Sequence, residues 1–90
     1  HQGVENKRER LDQIASDLAC GLQDLAFIGD DINDLECLQA VGYSACPADA
    51  ATQVIPAVQY VSTLKGGDGA VREILEHWIS IGQLPAELLG

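Results

Sequence analysis

Ninety residues carrying fourteen Asp and Glu against five Lys and Arg give a net charge of −9, which repels nucleic-acid backbones and anionic membrane surfaces. With 47% apolar residues, the chain can build one small core and no more than one domain. No apolar run approaches the length of a membrane span, so neither nucleic acid nor membrane is expected as a partner.

Cys20, Cys37 and Cys46 are odd in number, far apart and set among apolar residues. No CxxC pair is present, which argues against zinc or a redox dithiol and for buried, reduced thiols in a cytoplasmic protein.

In chain order, Asn6-Lys7-Arg8-Glu9 reads as a helix start, Asn6 capping and Glu9 completing a capping-box pattern. Leu11, Ile14, Ala15 and Leu18 recur at helical spacing, and Gly21 is placed to end the helix. Lys7 falls four residues before Leu11, on the core-facing stripe. A cation is disfavoured at a helix N-terminus, so its position there suggests a functional role over a snorkelling surface lysine. Leu25 to Ile28 is a short unbroken apolar run, the pattern of a strand buried on both faces of a parallel sheet.

Gly29 then permits a turn into Asp30, Asp31 and Asp34, with Asn33 among them. Asp34 is placed to cap a helix carrying Leu35, Leu38 and Val41 and ended by Gly42. Tyr43 to Cys46 forms a second strand, closed by Pro47. Asp49 caps a short helix through Ala50, Val54 and Ile55 that Pro56 stops, and Gln59 to Thr63 is a third strand. A flexible loop, Lys65 to Gly69, leads into a helix with Val71, Ile74, Leu75 and Trp78 on its apolar face. Arg72 and Glu76 make an ordinary i,i+4 surface pair, His77 is a surface residue, and Leu84, Leu88 and Leu89 need a covering neighbour.

Helix and strand alternate throughout, which is the order of a parallel α/β sheet. Parallel strands end on one edge, so the Asp30 loop, the Pro47 turn and the Lys65 to Gly69 loop should meet where open α/β folds bind ligands. A carboxylate cluster at a strand end is compensated by a hard cation such as Mg²⁺, with Lys7 the nearest group for a phosphoryl anion. Helix capping explains Asp34 equally well, yet leaves Asp30 unexplained. Ser44 and Ser62 lack a nucleophile elbow, and the acids do not follow EF-hand spacing.

The run IGDDINDLECLQAVG resembles the fourth motif, GDxxND, of the haloacid-dehalogenase-like (HAD) phosphatases, and VENKRERL upstream resembles their third. Together with the ADA at Ala48 to Ala50 and GGDGAVRE at Gly66 to Glu73, the pattern is similar to capless phosphatases acting on 3-deoxy-D-manno-octulosonate 8-phosphate. The resemblance implies a three-layer, Rossmann-like α/β fold, Mg²⁺ as cofactor and a phosphorylated sugar acid of lipopolysaccharide biosynthesis as substrate. It also implies a homo-oligomer, a tetramer in the family. Asp30 becomes the metal ligand, Lys7 the cation that holds the phosphoryl group, and Asp34 a carboxylate that orients the site and can reach Lys7. Asp31 stays a loop or outer residue.

The family's DxDG segment, which supplies the aspartyl nucleophile, has no counterpart here. Residues 1–90 are therefore expected to be the C-terminal part of one HAD-like domain, inactive alone. The alternative is a non-catalytic oligomerisation module like the HAD-like region of acylneuraminate cytidylyltransferases.

Overall fold

A computed structural model describes residues 7–83. The expected Asn6 cap and the tail leucines Leu84, Leu88 and Leu89 lie outside the described residues. The chain folds as α1 (Lys7–Asp17), β1 (Ala26–Ile28), α2 (Leu35–Ala40), β2 (Tyr43–Cys46), β3 (Tyr60–Val61) and α3 (Ala70–Ser80). Short 3₁₀ turns at Leu22–Asp24, Ile32–Asp34, Ile55–Ala57 and Gly66–Asp68 join them. All strand pairs are parallel in the order β1-β2-β3, with Phe27 opposite Ser44 and Ala45 opposite Tyr60.

Side chains alternate across this sheet and build two cores. Leu38, Cys46, Ala50 and Val54 bury one face against Phe27 and Val61, and the Leu11, Cys37 and Val41 cluster adjoins them through Phe27. On the opposite face Ala45 packs with Ile74 and Trp78 of α3, flanked by Ile28, Tyr43 and Tyr60. Helices α1 and α2, the sheet, and α3 thus form the three layers of the expected α/β fold. Cys37 and Cys46 are buried free thiols, and Cys20 is half-buried.

Several local expectations give way. Helix α1 stops at Asp17 rather than running to Gly21, because Ala19 adopts a left-handed conformation at φ 55°. Ala19 N–H donates to Ser16 O (3.1 Å) and Cys20 N–H to Ala15 O (2.9 Å), the paired bonds of a Schellman motif that satisfy the last carbonyls. An alanine here carries a steric penalty of about 1–2 kcal/mol, while glycine loosens the unfolded chain by about 0.4–1 kcal/mol. Ala19→Gly is therefore expected to stabilise the fold by roughly 0.5–1 kcal/mol, read as a higher urea midpoint at unchanged m-value.

The apolar stripe of α1 is only half used: Leu11 and Ala15 are buried, but Ile14 is 43% exposed and Leu18 is also open. Ile14 overhangs a groove beside β1, lined also by Leu25, Ala26 and Phe27. For the same reason β1 is not buried on both faces, its residues running from exposed to half-buried, since it is the outer strand of the described sheet. The third strand is shorter than expected, pairing only at Tyr60 and Val61.

Gly42 does not end α2 through a left-handed turn. The helix is closed at Val41, and Gly42 is required because the carbonyl oxygen of Gln23 lies 1.9 Å from where a Cβ would stand. Residues 49–54 form turns instead of the expected helix, and Pro56 sits inside the 3₁₀ turn Ile55–Ala57. The exposed Arg72–Glu76 pair forms at 3.3 Å as expected.

Candidate functional site

The C-terminal ends of the strands converge as parallel order demands. A cleft of about 410 Å³ opens there, lined by Lys7, Phe27, Ile28, Gly29, Asp30, Asp34, Pro47, Gly66, Ala70 and Val71. Gly29 N–H continues the sheet ladder to Ala45 O (3.1 Å), and the chain then turns away at Asp30. Ala51 N–H donates to Asp30 O at 2.9 Å, which anchors the turn to the next loop.

Asp34 lies at the centre of this loop and is only 4% exposed. Its carboxylate does not cap α2. Oδ1 accepts from Lys7 Nζ at 2.6 Å, and Oδ2 accepts from the backbone N–H groups of Asp30 (3.0 Å) and Asp31 (3.2 Å). Burial pushes the Asp34 carboxyl upward, but the bonds from Lys7, Asp31 and Asp30 outweigh it and hold it below the usual carboxylate range. The same hydrogen bond to Asp34 raises Lys7 above the usual lysine value against a smaller opposing effect of burial. The two groups therefore stay ionised together. Gly29 allows this close approach: a Cβ there would lie 2.6 Å from the Asp34 Cβ, so glycine serves contact rather than turn geometry.

Asp31 and Asp34 bracket the Ile32–Asp34 turn reciprocally, and the Asp31 carboxylate accepts from Ile32 N–H at 2.6 Å. Asp31 is thus a turn cap, and the carboxylates separate by role. Asp30 is exposed, and among the described residues its carboxylate takes no hydrogen bond. Among the described residues no three His, Cys, Asp or Glu side chains converge as a metal-holding group. Among the described residues, the cleft offers a hard cation the Asp30 carboxylate. That fits Mg²⁺, which takes one or two carboxylates and completes its shell with water and phosphate oxygens.

Two features of the cleft wall have no local sequence signal. Val71, expected in the α3 core, is 52% exposed and lines the cleft, because Ala70 and Ile74 take the inward positions. Asp49 caps no helix; its carboxylate accepts from Gly66 N–H at 2.9 Å and ties the glycine turn to the Pro47 loop. The Lys65 to Gly69 segment is accordingly a bonded turn, closed by Asp68 N–H to Lys65 O (2.9 Å), with Gly69 at φ 98° opening α3. Only the separation of its partner in sequence hid Asp49, since nothing at positions 48–50 marks a contact seventeen residues away.

Comparison with known proteins identifies the family. Residues 2–74 match the family model of haloacid dehalogenase-like hydrolases. The chain belongs to this family. It is 37% identical over 76 residues to the 3-deoxy-D-manno-octulosonate 8-phosphate phosphatases of Yersinia pestis and Escherichia coli K12, covering 84% of this chain and 41% and 40% of theirs. The chain thus spans about two fifths of the length of these curated relatives. The crystal structure of the Yersinia pestis phosphatase superimposes with a TM-score of 0.81 at 33% identity over 96% of this chain and 47% of that one. That of the Moraxella catarrhalis phosphatase, in complex with magnesium ion, phosphate ion and KDO, gives 0.81 at 32% identity over 88% and 45%. These HAD-like neighbours share the parallel α/β fold described above.

Proposed function

We propose that this HAD-like chain is the C-terminal part of a Mg²⁺-dependent phosphatase hydrolysing a sugar-acid phosphate of the 3-deoxy-D-manno-octulosonate 8-phosphate class. One observation carries the reading: Lys7 and Asp34, twenty-seven residues apart, pair at 2.6 Å on the wall of the same cleft that displays Asp30, whose carboxylate takes no hydrogen bond among the described residues. A chain using Asp34 merely to start a helix has no need of that pairing. Likeness to phosphatases over most of the chain supports the same substrate class.

In this reading Asp30 is the residue that holds the metal. Bound Mg²⁺ would neutralise phosphate oxygens and offset the charge that develops on them. Lys7 presents its ammonium to the phosphoryl group, and Asp34 fixes the direction of that ammonium while remaining charged. Gly29 and Gly66 keep the floor and wall free of side chains, so an anion can approach the backbone. The attacking aspartate, which forms the aspartyl-phosphate, lies outside these ninety residues, and the open groove beside β1 agrees with a sheet that continues there. A phosphorylated sugar acid as partner, a cytoplasmic location and a homo-oligomer belong to this proposal.

The test is hydrolysis of 3-deoxy-D-manno-octulosonate 8-phosphate by the full gene product with and without Mg²⁺. Asp30→Asn is expected to lower kcat/KM by about a thousandfold and to weaken Mg²⁺ binding measured by calorimetry. Undiminished turnover in that variant would overturn the assignment. An intact gene product with no Mg²⁺-dependent phosphatase activity would instead favour the non-catalytic module.

A further inference from the structure

On α3, Glu73 gathers three donors from one segment of chain. Its carboxylate accepts from the Tyr60 hydroxyl, from the Ser62 hydroxyl, and from Thr63 N–H at 3.1 Å. Ser62 is buried, and its oxygen also accepts from Leu64 N–H at 2.9 Å. One turn further along α3, the His77 ring stacks on Tyr60 with centroids 3.8 Å apart and planes within 6°. These contacts hold the chain from Tyr60 to Leu64, which leads directly into the turn that brings Gly66 to the cleft. From the other side, Ala48 N–H bonds Leu64 O (2.9 Å) and Asp49 bonds Gly66 N–H.

The glycine wall is therefore a segment pinned at both ends. Gly67, at its middle, has nothing within 4 Å of a Cβ, so the turn borrows its shape from its anchors rather than from packing. A carboxylate with three donors within four residues, at 60, 62 and 63, is a stronger anchor than one backbone bond.

We propose that Glu73 is a positioning residue that sets the shape of the substrate cleft by clamping the β3–α3 segment, and that it acts on substrate binding rather than on the chemical step. This rests on the proposed phosphatase function, because the cleft is taken as the substrate site. Glu73 does not line the cleft, whereas Gly66, into which the clamped segment leads, does.

The experiment compares steady-state kinetics and amide hydrogen exchange of the full gene product carrying Glu73→Ala, Glu73→Gln or Tyr60→Phe. Glu73→Ala is expected to raise KM by about tenfold with kcat within about twofold of the parent, and to speed exchange of residues 63–67 selectively. Glutamine keeps an acceptor for Ser62 and Thr63 and can donate to the Tyr60 hydroxyl, so Glu73→Gln should recover most of the KM. Tyr60→Phe removes one donor but keeps the ring on His77, and should give a smaller KM rise; it reads the clamp even where Glu73→Ala folds poorly. Unchanged KM and unchanged local exchange in Glu73→Ala or Tyr60→Phe would overturn the proposal, as would a fall in kcat at constant KM. An inactive parent enzyme would defeat the phosphatase reading alone, while faster local exchange would still uphold the clamp.

Discussion

Replacement of Lys7 by methionine is expected to lower phosphate-ester hydrolysis by about a thousandfold in kcat while changing stability by only about 1 kcal/mol. The two effects separate because they act on different partners. A phosphoryl group in the cleft loses the cation that balances its charge. Asp34, by contrast, keeps its two backbone donors from Asp30 and Asp31 when the lysine is gone. The lost pair also counts for little in folding, because the Lys7 side chain is 44% exposed and solvent screens it. Measured in parallel, kcat and the urea midpoint should therefore diverge. Equal losses in both would reduce Lys7 to a structural residue.

Gly29→Ala tests the same pair without touching either charge. Its Cβ would meet Asp34 Cβ at 2.6 Å and Oδ2 at 2.9 Å, so Asp34 must swing away and carry the lysine with it. Activity should fall by about a hundredfold, since misplacement by about 1 Å of a positioned group is enough for that loss. Wild-type activity in Gly29→Ala would mean that the Lys7–Asp34 geometry is not used.

The second large effect falls on stability, at a residue far from the cleft. Gly42→Ala is expected to destabilise the chain by about 3 kcal/mol, the upper range for overpacking. The added Cβ would stand 1.9 Å from the Gln23 carbonyl oxygen and 2.6 Å from its carbon, and backbone atoms cannot rotate aside as a side chain can. Relief requires parting the 21–25 segment from the start of β2. That separation would break Gly42 N–H to Leu22 O (3.2 Å) and Tyr43 N–H to Leu25 O (3.2 Å). Gly67→Ala is the control, with open space around its Cβ, and should change the midpoint by less than about 0.5 kcal/mol. Similar effects at both positions would show that glycine flexibility, not contact, governs Gly42.

Much of the architecture was legible because it depends on local pattern. Apolar runs separated by helical periodicity give alternating elements, and a parallel sheet follows with its three loops on one edge. Lys7, Asp30 and Asp34 could be named together from their motif resemblance, and the fold does bring all three to one cleft. The failures share a cause. Asp49 looks like a helix cap but spends its carboxylate on a donor seventeen residues away, and Asp34, whose reach to Lys7 the motif resemblance implied, gives its second oxygen to Asp30 and Asp31 N–H instead of capping α2. Val71 and Ile14 satisfy helical spacing yet face a cleft and a groove, because periodicity marks a face without saying what stands opposite.

The amino-acid order by itself determined the succession of elements, the parallel sheet and the placing of an acidic loop at a strand end, since these follow from residues within a few positions of each other. Which carboxylate stays free was decided only by tertiary structure. Asp30, Asp31 and Asp34 are chemically alike and nearly adjacent, but a carboxylate is consumed by whichever donors reach it. Lys7 from the first helix and the loop's own N–H groups reach Asp34, Ile32 N–H reaches Asp31, and Asp30 is left open to the cleft.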